Sequence, residues 1–182
     1  MPAYALAILI IGWVAWFTPF FLTKRSQTSA KTLDRRARWG ILLEVIGYSL
    51  LWQTRFWERP LPAWRTALSI IFFALAALLS WTAPRALGRQ WRIDAALNPD
   101  HQLVTSGPYR LVRHPIYTSM LCLLLGMGFL VAPLRLLLVA TVIFIAGTEI
   151  RVRIEDRLLA PQFGDHFQHY QRTVPAYIPF LK

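Results

Sequence analysis

Charge is scarce in this sequence of 182 residues: Asp, Glu, Lys and Arg together make up 16% of it, against about 25% in a soluble globular domain. Acid is scarcer still, with 9 Asp and Glu against 20 Lys and Arg. Where charge is missing altogether matters most. Residues 1–23, 66–84 and 114–134 contain none, and an apolar run of about 18 residues or more can cross a bilayer as a helix. With 55% hydrophobic residues and a mean hydropathy of +0.40, the chain reads as a small protein that crosses a membrane several times. A water-soluble enzyme, a disordered tail and a secreted disulfide scaffold are excluded. Cysteine is represented by Cys122 alone, which excludes an intramolecular disulfide and metal ligation by paired cysteines.

What is abundant is basic charge, a net +11. It forms no single basic face, and no helix-turn-helix, finger or RNA-binding signature accompanies it, so nucleic acid is not the expected partner. The Lys and Arg residues sit between the apolar runs, where membrane topology needs them. The first run, about Tyr4 to Leu22, has no Lys or Arg before it and no evident small-residue cleavage site after it. It is read as a retained span rather than a signal peptide.

The expected fold is an all-α integral membrane protein with five transmembrane helices, a C-terminal helical hairpin and a cytoplasmic cofactor-binding cap. Residues 1–83 supply three N-terminal spans, the second of them (about Trp39 to Trp52) containing Glu44. Residues 84–182 supply a polar loop, the hairpin spans Pro115–Val131 and Leu134–Gly147, and a tail from Glu149. With five spans, only Arg55, Arg59, Arg65 and Arg135 fall on one side, against 16 basic residues on the other. The positive-inside rule puts the richer side, with the C-terminus, in the cytoplasm and the N-terminus outside.

Polar side chains concentrate in the two segments that flank the hairpin. The first reads Leu103-Val-Thr-Ser-Gly107-Pro-Tyr109-Arg110-Leu-Val-Arg113-His114-Pro115-Ile-Tyr117. Pro115 suits a first helical position, where its missing N–H costs no hydrogen bond. The partial positive charge at such a helix start, with Arg110, Arg113 and His114, suits a carboxylate or phosphate. The same residues could equally form a cap with basic groups touching lipid headgroups. The second segment places Arg151 and Glu155 four residues apart, one above the other on a helix. That is an ordinary exposed ion pair, or a functional pair close to an apolar span. His101 and His114 are the histidines with candidate roles, while His166 and His169 read as solvated. No compact ligand set suggests a metal.

These strings resemble the motifs of isoprenylcysteine carboxyl methyltransferases and their bacterial and archaeal relatives. The likeness rests on Leu103-Val-Thr-x-Gly-Pro-Tyr-x-x-x-Arg-His-Pro-x-Tyr117 and on Arg151-x-x-x-Glu155-Asp-x-x-Leu159-x-x-x-Phe163-Gly164-x-x-Phe167-x-x-Tyr170. Leu87-Gly-Arg-x-Trp91 and His101 precede them, so the likeness covers roughly residues 85–182. It implies S-adenosylmethionine as cofactor, with S-adenosylhomocysteine as product, and a lipidic or prenylated acceptor beside membrane lipids. By position, Tyr109, Arg113, His114, Pro115 and Tyr117 would line the cofactor pocket, with His101, Leu103, Val104 and Gly107 leading into it. Glu155 and Tyr170 would close it, and Arg151 and Glu155 would carry the catalytic roles, Arg151 facing the methyl acceptor. It also implies a bacterial or archaeal cytoplasmic membrane. Ser119 stands where some relatives have Gly, and Phe167 where an aromatic hydroxyl is expected.

In residue terms, Arg113 and helix N–H groups would take the cofactor's carboxylate, Glu155 its ammonium or a ribose hydroxyl, and Tyr109, Tyr117 or Tyr170 its adenine. A carboxylate acceptor would need alignment more than a base. An amine, as in phosphatidylethanolamine, or a thiol would need Glu155 or His114 to remove a proton. A transporter subunit or scaffold would instead line its spans with ionisable residues, and only Glu44 qualifies. The topology is checked by placing single cysteines at positions 30 and 60, with Cys122 replaced. They should label from opposite sides of the membrane, and equal labelling from one side contradicts the five-span arrangement.

Overall fold

The computed structural model describes residues 2–23, 36–53, 61–88 and 102–179. Among them are five helices and no strand: α1 (Ala3–Leu22), α2 (Ala37–Leu50), α3 (Ala63–Leu87), α4 (Pro115–Val131) and α5 (Leu134–Thr173), with one short 3-10 turn at Gly107–Arg110. His101 and Arg89 to Trp91 lie outside the described residues. Proline marks most of the helix starts, because its fixed φ suits the extended residue before a first turn or the first helical position itself. Pro2, Pro62 and Pro133 precede α1, α3 and α5, and Pro115 opens α4.

The helices α1 and α3 are long and apolar enough to cross a membrane, while α4 is apolar but has 17 residues. At 1.5 Å per residue α4 spans about 26 Å, slightly short of a hydrocarbon core of about 30 Å. Large apolar side chains face outward on α1, α2, α3 and α5: Ile11 is 66% exposed, Phe21 78%, Val45 54%, Leu78 59% and Leu138 65%. A soluble monomer rarely exposes apolar rows of this extent. Lipid is the surround that such a surface fits.

Two groupings make up the bundle. The helices α1, α3 and α4 pack together, α2 packs along α5, and the groups meet where α4 lies against α5. In the first group Phe73 fills the space that Gly12 and Gly126 leave open, and Trp16 donates to Ser119 Oγ (3.1 Å). Arg65 donates to the carbonyls of Phe129 (2.8 Å), Gly128 (3.1 Å) and Ala132, at a helix end, where carbonyls run short of backbone donors. In the second group α2 and α5 run antiparallel at backbone contact. A Cβ at Gly147 would meet Gly40 O at 2.6 Å and Glu44 N at 3.0 Å, and one at Gly47 would meet Ala140 O at 3.0 Å.

One boundary differs from the sequence expectation. The last hydrophobic run was expected to end at Gly147, yet α5 continues through the polar segment to Thr173. Hydropathy falls there, but Glu, Arg, Leu and Ala still favour helix. The change is one of surroundings, not of backbone. The helix bends only at Gly164 (φ 51°, ψ −128°), a conformation that side chains other than glycine's rarely adopt. Beyond it Phe167 and Tyr170 are buried.

Gly147→Ala tests the close helix contact. The added methyl meets backbone atoms that cannot rotate away, so a loss of about 1–3 kcal/mol is expected. Thermal unfolding in detergent measures it, and an unchanged midpoint contradicts the contact.

Candidate active site

The start of α4 and the polar half of α5 meet at the imidazole of His114. Its Nε2 lies 3.0 Å from Asp156 Oδ1 and its Nδ1 3.3 Å from Glu155 Oε2. Consecutive helical residues point about 100° apart, so Glu155 and Asp156 reach the ring from two sides. With a carboxylate at each nitrogen, only the doubly protonated ring satisfies both. Burial alone would lower the His114 pKa, but the two carboxylates outweigh it and push it up to about 9. Burial would likewise raise that of Asp156, yet His114 and Arg113 bring it below the usual range. His114 is therefore a cation at neutral pH, with no lone pair to accept a proton.

Asp156 organises this corner. It accepts from Arg113 Nη2 (2.9 Å) and Gln171 Nε2 (3.1 Å) as well as from His114. Arg113 reaches on to the carbonyls of Gln171 (3.2 Å) and Val174 (2.6 Å). The chain after α5 then lies along the start of α4: the N–H groups of Arg113 and His114 donate to Pro175 O (2.9 Å) and Ala176 O (2.8 Å), and Thr118 Oγ1 donates to Tyr177 O (2.7 Å). This corrects the expectation that Arg113 and these N–H groups face a ligand carboxylate. They hold the tail, and the buried Arg113 Nε has no hydrogen-bond partner.

A second polar group lies one helical turn back along α5. Arg151 Nη1 donates to Glu44 Oε2 on α2 (2.7 Å), and Thr148 Oγ1 donates to Glu44 Oε1 (3.1 Å). Glu44 is 3% exposed. The expected Arg151–Glu155 pair does not form: Glu155 accepts from Tyr117 Oη and faces His114. Tyr117 joins the two groups, because the Arg151 guanidinium lies 4.7 Å from its ring centroid. The buried Arg151 Nε has no hydrogen-bond partner.

Of the remaining sequence candidates, Pro115 opens α4 and is buried, and the buried Tyr109 accepts from Tyr170 Oη at its carbonyl (2.6 Å). Leu103 and Val104 are half-buried and Gly107 is exposed (φ 60°). His166 and His169 are exposed, as read. Phe167 is buried core, so its missing hydroxyl leaves nothing unbonded there, and Ser119 uses its hydroxyl on Trp16 and Ile116 O. Sequence reasoning missed Asp156, Gln171 and the pairing of Glu44 with Arg151. The Glu155-Asp156 doublet was the available signal for the first. Among the described residues no group of three or more His, Cys, Asp or Glu is arranged to hold a metal ion.

Comparison with known proteins gives this site a context. The profile of the phospholipid methyltransferase family matches residues 64–166. The cobalt-zinc-cadmium resistance protein CzcN of Cupriavidus metallidurans is 31% identical over 158 residues, covering 86% of this chain and 69% of the relative. The nickel-cobalt-cadmium resistance protein NccN of Alcaligenes xylosoxydans xylosoxydans is 26% identical over 151 residues, covering 82% and 67%. The protein-S-isoprenylcysteine O-methyltransferase of Schizosaccharomyces pombe is 33% identical over 84 residues, covering 46% and 36%.

The charge state of His114 has a consequence for stability. Its pKa is raised from 6.5 to about 9, so its contribution is full below about pH 6.5 and is gone above about pH 9. Asp156 is shifted the other way, so its contribution falls as the pH drops below the usual carboxylate range. The wild-type protein should therefore lose up to about 3 kcal/mol between pH 6.5 and 9, at 1.36 kcal/mol per pKa unit. His114→Gln should show a flatter alkaline limb. Parallel pH profiles for the two proteins, by thermal unfolding in detergent, contradict a protonated His114.

Proposed function

Since this chain belongs to the phospholipid methyltransferase family and is an S-adenosylmethionine-dependent methyltransferase, we propose that it methylates the carboxylate of a lipidic acceptor at the cytoplasmic membrane surface. The observation that carries this reading is Arg151. Glu44 takes Nη1, while the buried Nε stays without a partner. The Nε–Nη2 edge of a guanidinium matches a carboxylate in a bidentate pair.

The surrounding protonation states favour the same acceptor. An amine or thiol must lose a proton before it can attack. His114 is already protonated, and Glu155 is held by Tyr117 and His114. A carboxylate needs no base. Its oxygen could take the methyl group that a bound S-adenosylmethionine would supply, giving an ester with no proton to place. Such a reaction depends on alignment, which a fixed Arg151 supplies.

The residues present fit S-adenosylmethionine. When bound, that cofactor supplies a methyl group made electrophilic by its sulfonium. Glu155, with its side chain 25% exposed, can hold an ammonium. The faces of Tyr109 and Tyr117 suit an adenine or a sulfonium. Tyr170 holds Tyr109, and Pro115 with the tail fixes the start of α4. Leu103, Val104 and Gly107 form the approach, to which His101 belongs by its place in the chain.

In this reading the five helices cross the membrane, α2 and the apolar half of α5 included. The N-terminus lies outside and the C-terminal tail in the cytoplasm, as the distribution of basic residues favours. The site then sits at the bilayer surface, where an acceptor with a hydrophobic tail can reach it.

Two variants test the assignment in detergent, with N-acetyl-S-farnesylcysteine as acceptor. Arg151→Lys keeps a charge but loses the planar edge. Turnover should fall at least about tenfold with cofactor affinity little changed. Glu155→Gln should weaken cofactor binding by about 1.5–3 kcal/mol, the usual worth of a charged hydrogen bond. Near-normal turnover in both variants overturns the site. Preferential methylation of phosphatidylethanolamine vesicles replaces the carboxylate with an amine.

A further inference from the structure

We propose that Glu44 is a positioning residue, whose carboxylate fixes the Arg151 guanidinium so that its Nε–Nη2 edge is presented to the acceptor. This rests on the reading of Arg151 above and extends the site to α2, ahead of the residues that the family profile matches.

The geometry is specific. Gly40 and Glu44 stand one helical turn apart on α2, on the face that meets α5. A Cβ at Gly40 would lie 2.5 Å from Arg151 Cγ, so its absence leaves a channel for the arginine stem. Glu44 then meets the far end of the same side chain at Nη1. The second oxygen of Glu44 is taken by Thr148, which is fully buried on α5. Both carboxylate oxygens are thus committed, and the guanidinium plane is fixed against the Tyr117 ring. The hydrogen bond goes to Nη1 and leaves Nε without a partner.

A stability role accounts poorly for this arrangement. Removing an ion pair from water costs more than its mutual attraction returns unless geometry and further hydrogen bonds are good, and apolar replacements are often at least as stable. An ionisable residue inside a membrane helix is expensive and tends to be functional. The orphan Nε does not by itself separate the two roles, since the tether Arg113 carries one too; what sets Arg151 apart is that only Nη1 is taken, by Glu44, while Arg113 spends both terminal nitrogens. An edge kept for an acceptor gives the Glu44–Arg151 pair a use that a stability role does not.

Glu44→Gln and Glu44→Asp, with Arg151→Lys alongside, test the proposal on the full chain in detergent. The readouts are KM and kcat for N-acetyl-S-farnesylcysteine, Kd for S-adenosylhomocysteine and thermal midpoint. Glu44→Gln should raise the acceptor KM about tenfold, as expected for one charged hydrogen bond, and leave cofactor Kd within about twofold. Glu44→Asp, which keeps the charge but shortens the reach, should fall between it and wild type. A folded Glu44→Gln with wild-type KM and a lower midpoint makes Glu44 a staple and overturns the proposal. So does loss of cofactor binding in both Glu44 variants, or, where Glu44→Gln alone does not fold, an unchanged KM in Glu44→Asp. If Arg151→Lys raises KM and neither Glu44 variant does, this inference alone fails. If Arg151→Lys leaves KM and turnover unchanged, or wild type does not methylate the probe, the reading beneath it fails too.

Discussion

The charged ring of His114, held between two successive carboxylates of α5, is the contact on which the rest of the site depends. It joins the start of α4 to the polar half of α5, and through Asp156 and Arg113 it brings the tail back over both. The helices α4 and α5 otherwise pack mainly against other partners, α3 and α2. Remove the imidazolium and the carboxylates of Glu155 and Asp156 face each other, with Asp156 left to Arg113 and Gln171. Buried charges persist only when paired and hydrogen-bonded, and this network meets that condition. Three cations, Arg113, His114 and Arg151, stand against three anions, Glu44, Glu155 and Asp156.

The same constraint separates the roles of residues that look alike in the sequence. Arg113 and Arg151 are both largely enclosed arginines beside acids, yet Arg113 uses both terminal nitrogens on Asp156 and the tail, while Arg151 gives one to Glu44. The first is a tether. The second keeps an edge available. Glu155 and Asp156 are neighbours of equal charge, but Asp156 accepts from three donors and is buried, whereas Glu155 keeps part of its carboxylate exposed. Exposure and partners, rather than residue type, distinguish scaffold from working group.

Much of this was legible in the sequence. Uncharged runs located α1, α3 and α4, Pro115 marked the start of α4, and the motif strings brought Tyr117, His114, Glu155 and Tyr170 forward as site residues, which the fold gathers at one end of the α4–α5 hairpin. Three features were not legible, for physical reasons. The continuation of α5 past Gly147 is hidden because hydropathy reports surroundings while helix propensity continues. The i, i+4 rule paired Arg151 with Glu155 because it sees one helix at a time, whereas the glycine contact with α2 brings Glu44 closer. The seating of the tail on α4 rests on backbone carbonyls of Pro175, Ala176 and Tyr177, which no side-chain pattern announces. His101 lies outside the described residues.

On the function proposed above, the methyl group goes to a carboxylate oxygen. The direct test is to incubate membranes carrying the protein with methyl-labelled S-adenosylmethionine, extract the lipids and prenylated material, and treat the labelled product with mild alkali. A carboxyl ester releases its label as volatile methanol, and that is the result expected here. A label that stays bound through alkali, as a methylated amine or thioether would, contradicts the claim.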